Sequence, residues 1–282
     1  MRVLLVPNPA NPAAVASTAD LAAWLTTTGF EPVLTADDAS GCDLEALGVS
    51  PREIGEPTLV VALGGDGTIL KAVHLLGPVE VPILGVNLGR LGFMAGTGAE
   101  HIREAVAAAL AGEGRVERRS TLAVTVQMDG RVVGRHRALN EVYVGRGASM
   151  RVIDIELMVN GILISRMRCD GIVTATATGS TAYALSAGGP IVSPDVPCAV
   201  VVPVAPHTIA ARTIVVNASD RVEIHLPNPQ RREACVSVDG KLEPCRRDIE
   251  SVTVVRGEHD VLLLKLDGRD FYEVVRAEFL RG

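Results

Sequence analysis

The chain changes its hydrophobic grammar near residue 116, and that change limits the folds open to it. Before it, apolar runs alternate with stretches of helical spacing. VLLV at 3–6 reads as a strand, and 12–27 as a helix built on Leu21, Trp24 and Leu25 with Gly29 as its stop. Residues 31–35 read as a second strand, and the acidic, Gly/Pro-punctuated stretch 37–57 as a loop. TLVVAL at 58–63 is a continuous apolar run, as a buried parallel strand requires. Thr68–Leu76 reads as a helix, 81–87 as a strand, and His101–Ala111 as a helix ended by Gly112. This alternation implies a parallel sheet flanked by helices. From about 116 the pattern becomes β-branched and period-two, in segments such as TLAVTVQM, RVVGRHRALNEVYVG, RVIDIELMVNG, GIVTATATG and, last, VLLLKL. One short helix is expected at Thr181–Ala187. The reading is an α/β domain over 1–115 and a β-rich domain over 116–267, with the helical segment 268–282 returning to pack on the first.

Composition narrows the function classes. The 282 residues carry a net charge of -6 and only 3% aromatics. Neither suits a surface that grips a nucleic-acid backbone or stacks bases, so no nucleic-acid partner is expected. A small anionic ligand remains open, because local backbone dipoles suffice to hold one. No apolar run is long enough to span a bilayer, and the chain reads as soluble and cytoplasmic, with no membrane partner. The cysteines (42, 169, 198, 235, 245) are odd in number, make no CxxC pair and, with six scattered histidines, no metal-ligand pattern. Cys235 and Cys245 flank the turn at Asp239-Gly240 and read as half-buried thiols rather than a disulfide.

Gly64-Gly65-Asp66-Gly67-Thr68 follows a buried strand and opens a helix. At the carboxyl end of a parallel strand, glycines let a phosphate approach, and the helix N-terminus offers free N–H groups. Thr68 is expected to cap that helix. Asp66 would repel a phosphate unless it binds Mg²⁺ indirectly or takes a proton from a hydroxyl nucleophile. A tight strand-to-helix turn capped by Asp66 explains the motif about as well. Lys71, one turn on, reaches either a phosphate or only solvent. Asn87-Leu88-Gly89-Arg90-Leu91-Gly92-Phe93 makes a second glycine-rich loop at the same sheet edge. Asn140-Glu141 sits in what reads as mid-strand, where both residues need partners and can grip ribose hydroxyls. Asp170 opens a run of small and hydroxylated residues through Pro190 that offers many neutral donors, with Tyr183 as a stacking ring.

With GGDGT at 64–68, NLGRLGF at 87–93, NE at 140–141, DG at 170–171, TGSTAY at 178–183, SAGGP at 186–190 and PH at 206–207 in this order, the chain resembles the ATP-dependent NAD kinases. GGDGT alone is shared with lipid kinases; the NE and TGSTAY–SAGGP segments are the distinguishing ones. The resemblance implies a Rossmann-like α/β domain, a β-rich NAD-binding domain and a homodimer or homotetramer. It implies transfer of the ATP γ-phosphate to the 2′-hydroxyl of the adenosine ribose of NAD, giving NADP, with Mg²⁺ riding on the ATP and polyphosphate as another possible donor. By the same resemblance Asp66 is the catalytic base, Gly67 lies against the dinucleotide, and Gly64, Gly65 and Thr68 face phosphate. Asn140 and Glu141 hold NAD; Asp170, Thr178, Thr181, Ala182, Tyr183, Ala184, Leu185 and Ser186 line the nucleotide pocket, partly from a neighbouring subunit. Lys71, Arg151 and Arg168 match basic phosphate-contacting positions. Three residues depart from the family pattern: Ala177 and Thr213 replace prolines, and Lys241 stands near the pocket where a neutral residue is common. Two rival readings are a lipid kinase, for which no basic amphipathic helix is present, and a non-catalytic dinucleotide sensor, against which Asp66 argues.

Overall fold

The computed structural model describes residues 1–89, 92–148, 151–227, 234–243, 248–266 and 270–279. The chain forms two compact units, one joining Met1–Arg118 to Val261–Gly282 and the other Arg119–Asp260. In chain order the first unit begins β1 (Arg2–Pro7), α1 (Pro12–Thr27), β2 (Glu31–Thr35), α2 (Ala36–Ser40), β3 (Gly48–Val49), β4 (Leu59–Gly64) and α3 (Asp66–Leu76). It continues with β5 (Pro82–Asn87), β6 (Thr97–Gly98), α4 (Ile102–Leu110) and β7 (Arg115–Arg119). The second unit holds β8 (Leu122–Met128), β9 (Arg131–Ala138), β10 (Glu141–Arg146), β11 (Ile153–Val159), β12 (Ile162–Cys169), β13 (Gly171–Thr176) and α5 (Tyr183–Ser186). It is completed by β14 (Cys198–Val204), β15 (Ile214–Asn217), β16 (Val222–His225), β17 (Ala234–Val238), β18 (Lys241–Leu242) and β19 (Ser251–Arg256). The chain then returns to the first unit as β20 (Val261–Lys265) and α6 (Phe271–Phe279).

The first unit is a sheet of order β3-β2-β1-β4-β5-β20-β7. β1 pairs in parallel with both β2 and β4, and β5 with both β4 and β20. Leu21 and Leu25 of α1 and Val106 of α4 bury against alternate residues of these strands, among them Val3, Leu5, Val61, Leu84 and Val86. α3 covers the opposite face: Gly85 lies between Leu84 and Val86, and a Cβ there would fall 2.6 Å from Ile69 Cδ1. Strand order therefore reverses between β1 and β4, with connecting helices on opposite faces, and ligands in open α/β sheets bind at the carboxyl ends flanking such a reversal.

Three expectations change here. VLLLKL, read as part of the β-rich domain, is β20 and pairs in parallel with β5. Its apolar run suits a strand in a parallel sheet as well as one in a sandwich, and spacing alone does not tell them apart. Residues 37–57, read as a loop, begin with the end of α2 and include a 3₁₀ turn at Glu45–Leu47 and β3. Thr35 caps α2 by accepting the Asp38 N–H at 3.2 Å, and Asp37 and Asp38 sit in its first turn. The helix expected at Thr181–Ala187 is a 3₁₀ turn at Thr178–Thr181 followed by α5, broken at Ala182, whose φ and ψ of -96° and -130° are not helical.

The second unit stacks two antiparallel sheets, of order β15-β14-β13-β10-β17-β18 and β12-β11-β16-β19-β8-β9. Val142, Val144, Ile172, Val201 and Val236 of the first meet Val124, Ile155, Leu157, Ile224 and Val252 of the second in one core. β13 and β14 are buried on their other face too, where Val173, Ala175, Val200 and Val202 pack with Ala184 of α5. No helix among the described residues is long and apolar enough to cross a membrane.

The Gly85 packing gives a direct test. Its Cβ would also lie 2.9 Å from the Ala95 backbone, which cannot swing aside. Gly85→Ala is expected to lower the unfolding free energy by about 1–3 kcal/mol in urea titration.

Candidate active site

At the carboxyl ends of β1, β4 and β5 the first unit gathers three loops. The Asn8 N–H donates to Leu63 O at 2.9 Å, the Leu88 N–H to Gly64 O at 2.9 Å, and Asn11 Nδ2 to Leu88 O at 3.1 Å. α3 starts at Asp66, two residues before the predicted start, with Gly65 as its N-cap. Thr68 is therefore not the cap. It sits in the first turn, where its hydroxyl accepts the Gly65 N–H at 3.4 Å.

The three glycines of this loop differ in what demands them. A Cβ on Gly64 would fall 2.2 Å from Thr68 Oγ1, so internal packing requires that glycine. A Cβ on Gly65 or Gly67 would meet nothing within 4 Å, and neither residue has the positive φ that favours glycine. Packing among the described residues does not explain them, and they leave the N-terminus of α3 uncovered by those residues.

Asp66 has a task that the sequence did not reveal. Its Oδ2 accepts the Phe93 N–H at 2.8 Å, and its Oδ1 accepts those of Met94 and Ala95 at 3.0 and 3.1 Å. One carboxylate thus fixes the second glycine-rich loop. Gly92 must be glycine for this, since a Cβ there would lie 2.4 Å from Asp66 Oδ1. A carboxylate offers about four acceptor directions, so roughly one on Oδ2 remains. Arg90 and Leu91 of this loop lie outside the described residues. Lys71 bonds to the buried Asp38 of α2, and its Nζ also lies 3.4 Å from Pro7 O at the end of β1. It is half exposed, at the sheet edge that carries Asp66.

In the second unit the predicted residues separate along one sheet. Glu141 faces Ala175 across β10 and β13, and Val142 faces Val238 of β17, so Asn140, Glu141, Thr178–Ser186 and Lys241 cluster at one end. Asn140-Glu141 is not mid-strand: the chain leaves one sheet at Ala138 and enters the other at Glu141. Asp170 and Arg168 lie at the far end of β13, about 17 Å away at 3.3 Å per residue. There Arg146 pairs with Asp170 at 2.9 Å, and Arg168 with Asp154 at 3.3 Å. Arg151 is exposed. The Tyr143 hydroxyl donates to Asp170 O at 3.0 Å, and its ring meets Tyr183 edge-on at 5.7 Å, linking the two ends. Burial pushes the Tyr143 hydroxyl up to about 12. Sequence reading passed over Tyr143 and Arg146. The available signal was a pair of mid-sheet glycines: Cβ atoms on Gly145 and Gly171 would fall 1.9 and 2.4 Å from the Tyr143 ring.

Glu141 is buried at 8% exposure, and its Oε2 has no hydrogen-bond partner among the described residues. Desolvation, then the charge of Asp239, push its carboxyl from the ordinary 4.5 to about 7, while the Tyr183 N–H opposes the shift. Burial likewise raises the thiols of Cys42, Cys169, Cys198 and Cys235, which are all free and poor nucleophiles. Cys245 lies outside the described residues. Among the described residues no group of three or more His, Cys, Asp or Glu is placed to hold a metal ion.

Glu141 makes stability depend on pH. Between pH 4.5 and about 7 the folded chain holds a proton that the unfolded chain has lost. Stability therefore falls as pH rises through that window and levels off above it, by roughly 3 kcal/mol in all. Glu141→Gln is expected to remove this slope: its urea midpoint should exceed that of the parent at pH 8 and match it at pH 4.5.

The comparisons with known proteins concern the chain as a whole. A family model described as the ATP-NAD kinase N-terminal domain matches residues 3–114, and one described as the ATP-NAD kinase C-terminal domain matches 139–266. The NAD kinase of Geobacter metallireducens is 38% identical over 264 residues, covering 93% of this chain and 92% of that protein. The crystal structure of an NAD kinase from Archaeoglobus fulgidus in complex with ATP superposes with a TM-score of 0.77 at 27% identity, covering 98% of this chain and 99% of that one. Yeast NADH kinase complexed with NADH shares the fold, with a TM-score of 0.90 at 23% identity, over 99% of this chain and 87% of that one. The chain belongs to the ATP-NAD kinase family.

Proposed function

We propose that this chain phosphorylates NAD, transferring the γ-phosphate of ATP to the 2′-hydroxyl of the adenosine ribose and releasing NADP. Family membership supports the activity. The observation that carries the chemistry is the open start of α3, where no described residue would meet a Cβ on Gly65 or Gly67. Free N–H groups there suit a phosphate, and close backbone approach needs the missing Cβ atoms.

Asp66 is the base in this reading. A ribose hydroxyl is a weak nucleophile at neutral pH, and a carboxylate accepting its proton as the new P–O bond forms contributes about 10²–10⁴ in rate. Oδ2 supplies the acceptor, because the amides of residues 93–95 leave it one free direction. Those amides also absorb charge that would otherwise repel the nucleotide. The N-terminus of α3 balances phosphate charge at this sheet edge, and Lys71 joins it only by loosening its pair with the buried Asp38. Mg²⁺ prefers phosphate and water oxygens with one or two carboxylates, and in this reading it is held mostly by the ATP phosphates, since the free direction of Asp66 serves the ribose hydroxyl. When bound it supplies charge neutralisation on the transferring group. Asn140 and Glu141 hold the dinucleotide, with Thr178 and Thr181–Ser186 beside them, Tyr183 as the stacking ring, and Lys241 at the rim. Asp170 and the arginines 151 and 168 serve the far end. A cytoplasmic setting agrees with the free thiols. Assembly as a homodimer or homotetramer rests on the family resemblance.

The test is NADP formation from NAD, ATP and Mg²⁺. Asp66→Asn should lose at least about 10²–10⁴ in kcat; its NH₂ also faces an amide donor of residues 93–95, so thermal melting is the control for loop order, and an active variant sinks the base assignment. Gly67→Ala separates ligand approach from folding. Alanine favours a helix over glycine by about 1 kcal/mol, so this variant should melt at or above the parent temperature while losing turnover. A variant both stable and fully active would leave the glycine without a ligand to serve.

A further inference from the structure

The segment Leu139–Glu141 belongs to no regular ladder at its centre, yet all its backbone polar groups are taken. Asp239 Oδ2 accepts the Leu139 N–H at 2.8 Å, and Oδ1 accepts those of Asn140 and Glu141 at 2.8 and 3.1 Å. The Asp239 N–H in turn donates to Glu141 O at 3.0 Å. From the other side the Thr176 hydroxyl donates to Leu139 O at 2.6 Å and the Thr176 N–H to Asn140 O at 2.9 Å. Thr176 Oγ1 also accepts the Gly179 N–H at 2.9 Å, and Gly179 lies so close that a Cβ on it would fall 2.1 Å from Asn140 O. Two side chains thus fix three residues from opposite sides. Asp239 does so from the first central position of a two-residue hairpin turn, with φ +45°, followed by Gly240 at +78°.

We propose that Asp239 is a positioning residue for dinucleotide binding: its carboxylate holds the backbone from which Asn140 and Glu141 project, with Thr176 as the opposing jaw. The inference rests on the reading that these two residues hold NAD. Asp239 touches no substrate. It acts by removing the conformational freedom that a three-residue link between sheets would otherwise have, so the binding groups stand ready before NAD arrives. An isolated turn aspartate would serve its own turn. This one bonds to residues 98 to 100 positions away in sequence.

Steady-state kinetics on the full chain, with NAD varied at saturating ATP and Mg²⁺, test the proposal. Asn140→Ala, Asp239→Asn and the double variant are compared, with thermal melting as the folding control. Asp239→Asn keeps size but replaces one acceptor oxygen by an NH₂ that faces an N–H donor. Its KM for NAD should rise about tenfold while kcat and the KM for ATP stay within about threefold. In the double variant the rise in KM should be smaller than the product of the two single rises, because the clamp acts in part through Asn140. A general structural role would instead shift both KM values with the melting temperature and would add to Asn140→Ala. That pattern, or an unchanged KM in Asp239→Asn beside a raised one in Asn140→Ala, overturns the proposal. An unchanged KM for NAD in Asn140→Ala overturns the underlying NAD-site reading instead. If Asp239→Asn does not fold, the same outcomes are read on Thr176→Val, which removes the opposing hydroxyl.

Discussion

A carboxylate bonded to three consecutive backbone amides is the interaction on which both units rely. Asp66 gathers the N–H groups of residues 93–95, and Asp239 those of residues 139–141. Irregular segments carry polar backbone groups that no ladder satisfies, and leaving them unpaired in a partly buried place is costly. Charge-assisted bonds to a single side chain solve that problem and fix the segment's shape together. In each case the segment so fixed is one that a nucleotide reading needs rigid.

This device resolves a conflict visible in the sequence. An aspartate in a phosphate-facing glycine loop is electrostatically awkward if its charge is free. Here three amide dipoles converge on that charge, and the neighbouring loop is ordered by the same contact. The N-terminus of α3 stays open beside it, since Gly65 and Gly67 put nothing in the way. Glu141 shows the opposite solution. It lacks a full set of donors, so its carboxyl keeps its proton up to about pH 7. Two acidic residues, one at a helix start and one at a strand start, thus differ in how their environments meet the charge.

What was legible in the sequence was local. The strand–GGDGT–helix unit, the βα alternation and the period-two strands each need only a few neighbouring residues to declare themselves. The short helix at Ala36–Ser40 hid behind its acidic composition, although Thr35 and Asp38 carry a capping signal. Nothing local separates β20 from the sandwich strands, because a four-residue apolar run looks alike in a parallel sheet and in a sandwich. The partners of Asp66, Asp239 and Tyr143 were not legible, since each joins residues brought together only by topology. Asp239-Gly240 announced a turn and nothing more.

Glycines offered the one local trace of those distant contacts. Gly92 is shaped to the Asp66 carboxylate, Gly145 and Gly171 to the Tyr143 ring, and Gly179 to the Asn140 carbonyl. None of the four has the positive φ that would otherwise account for glycine. Each marks a place where another group comes closer than a Cβ allows. Gly65 and Gly67 satisfy the same test with no internal group filling the space. By the logic that explains the other four, a group other than the described residues would fill it, and the start of a helix makes an anion the natural occupant.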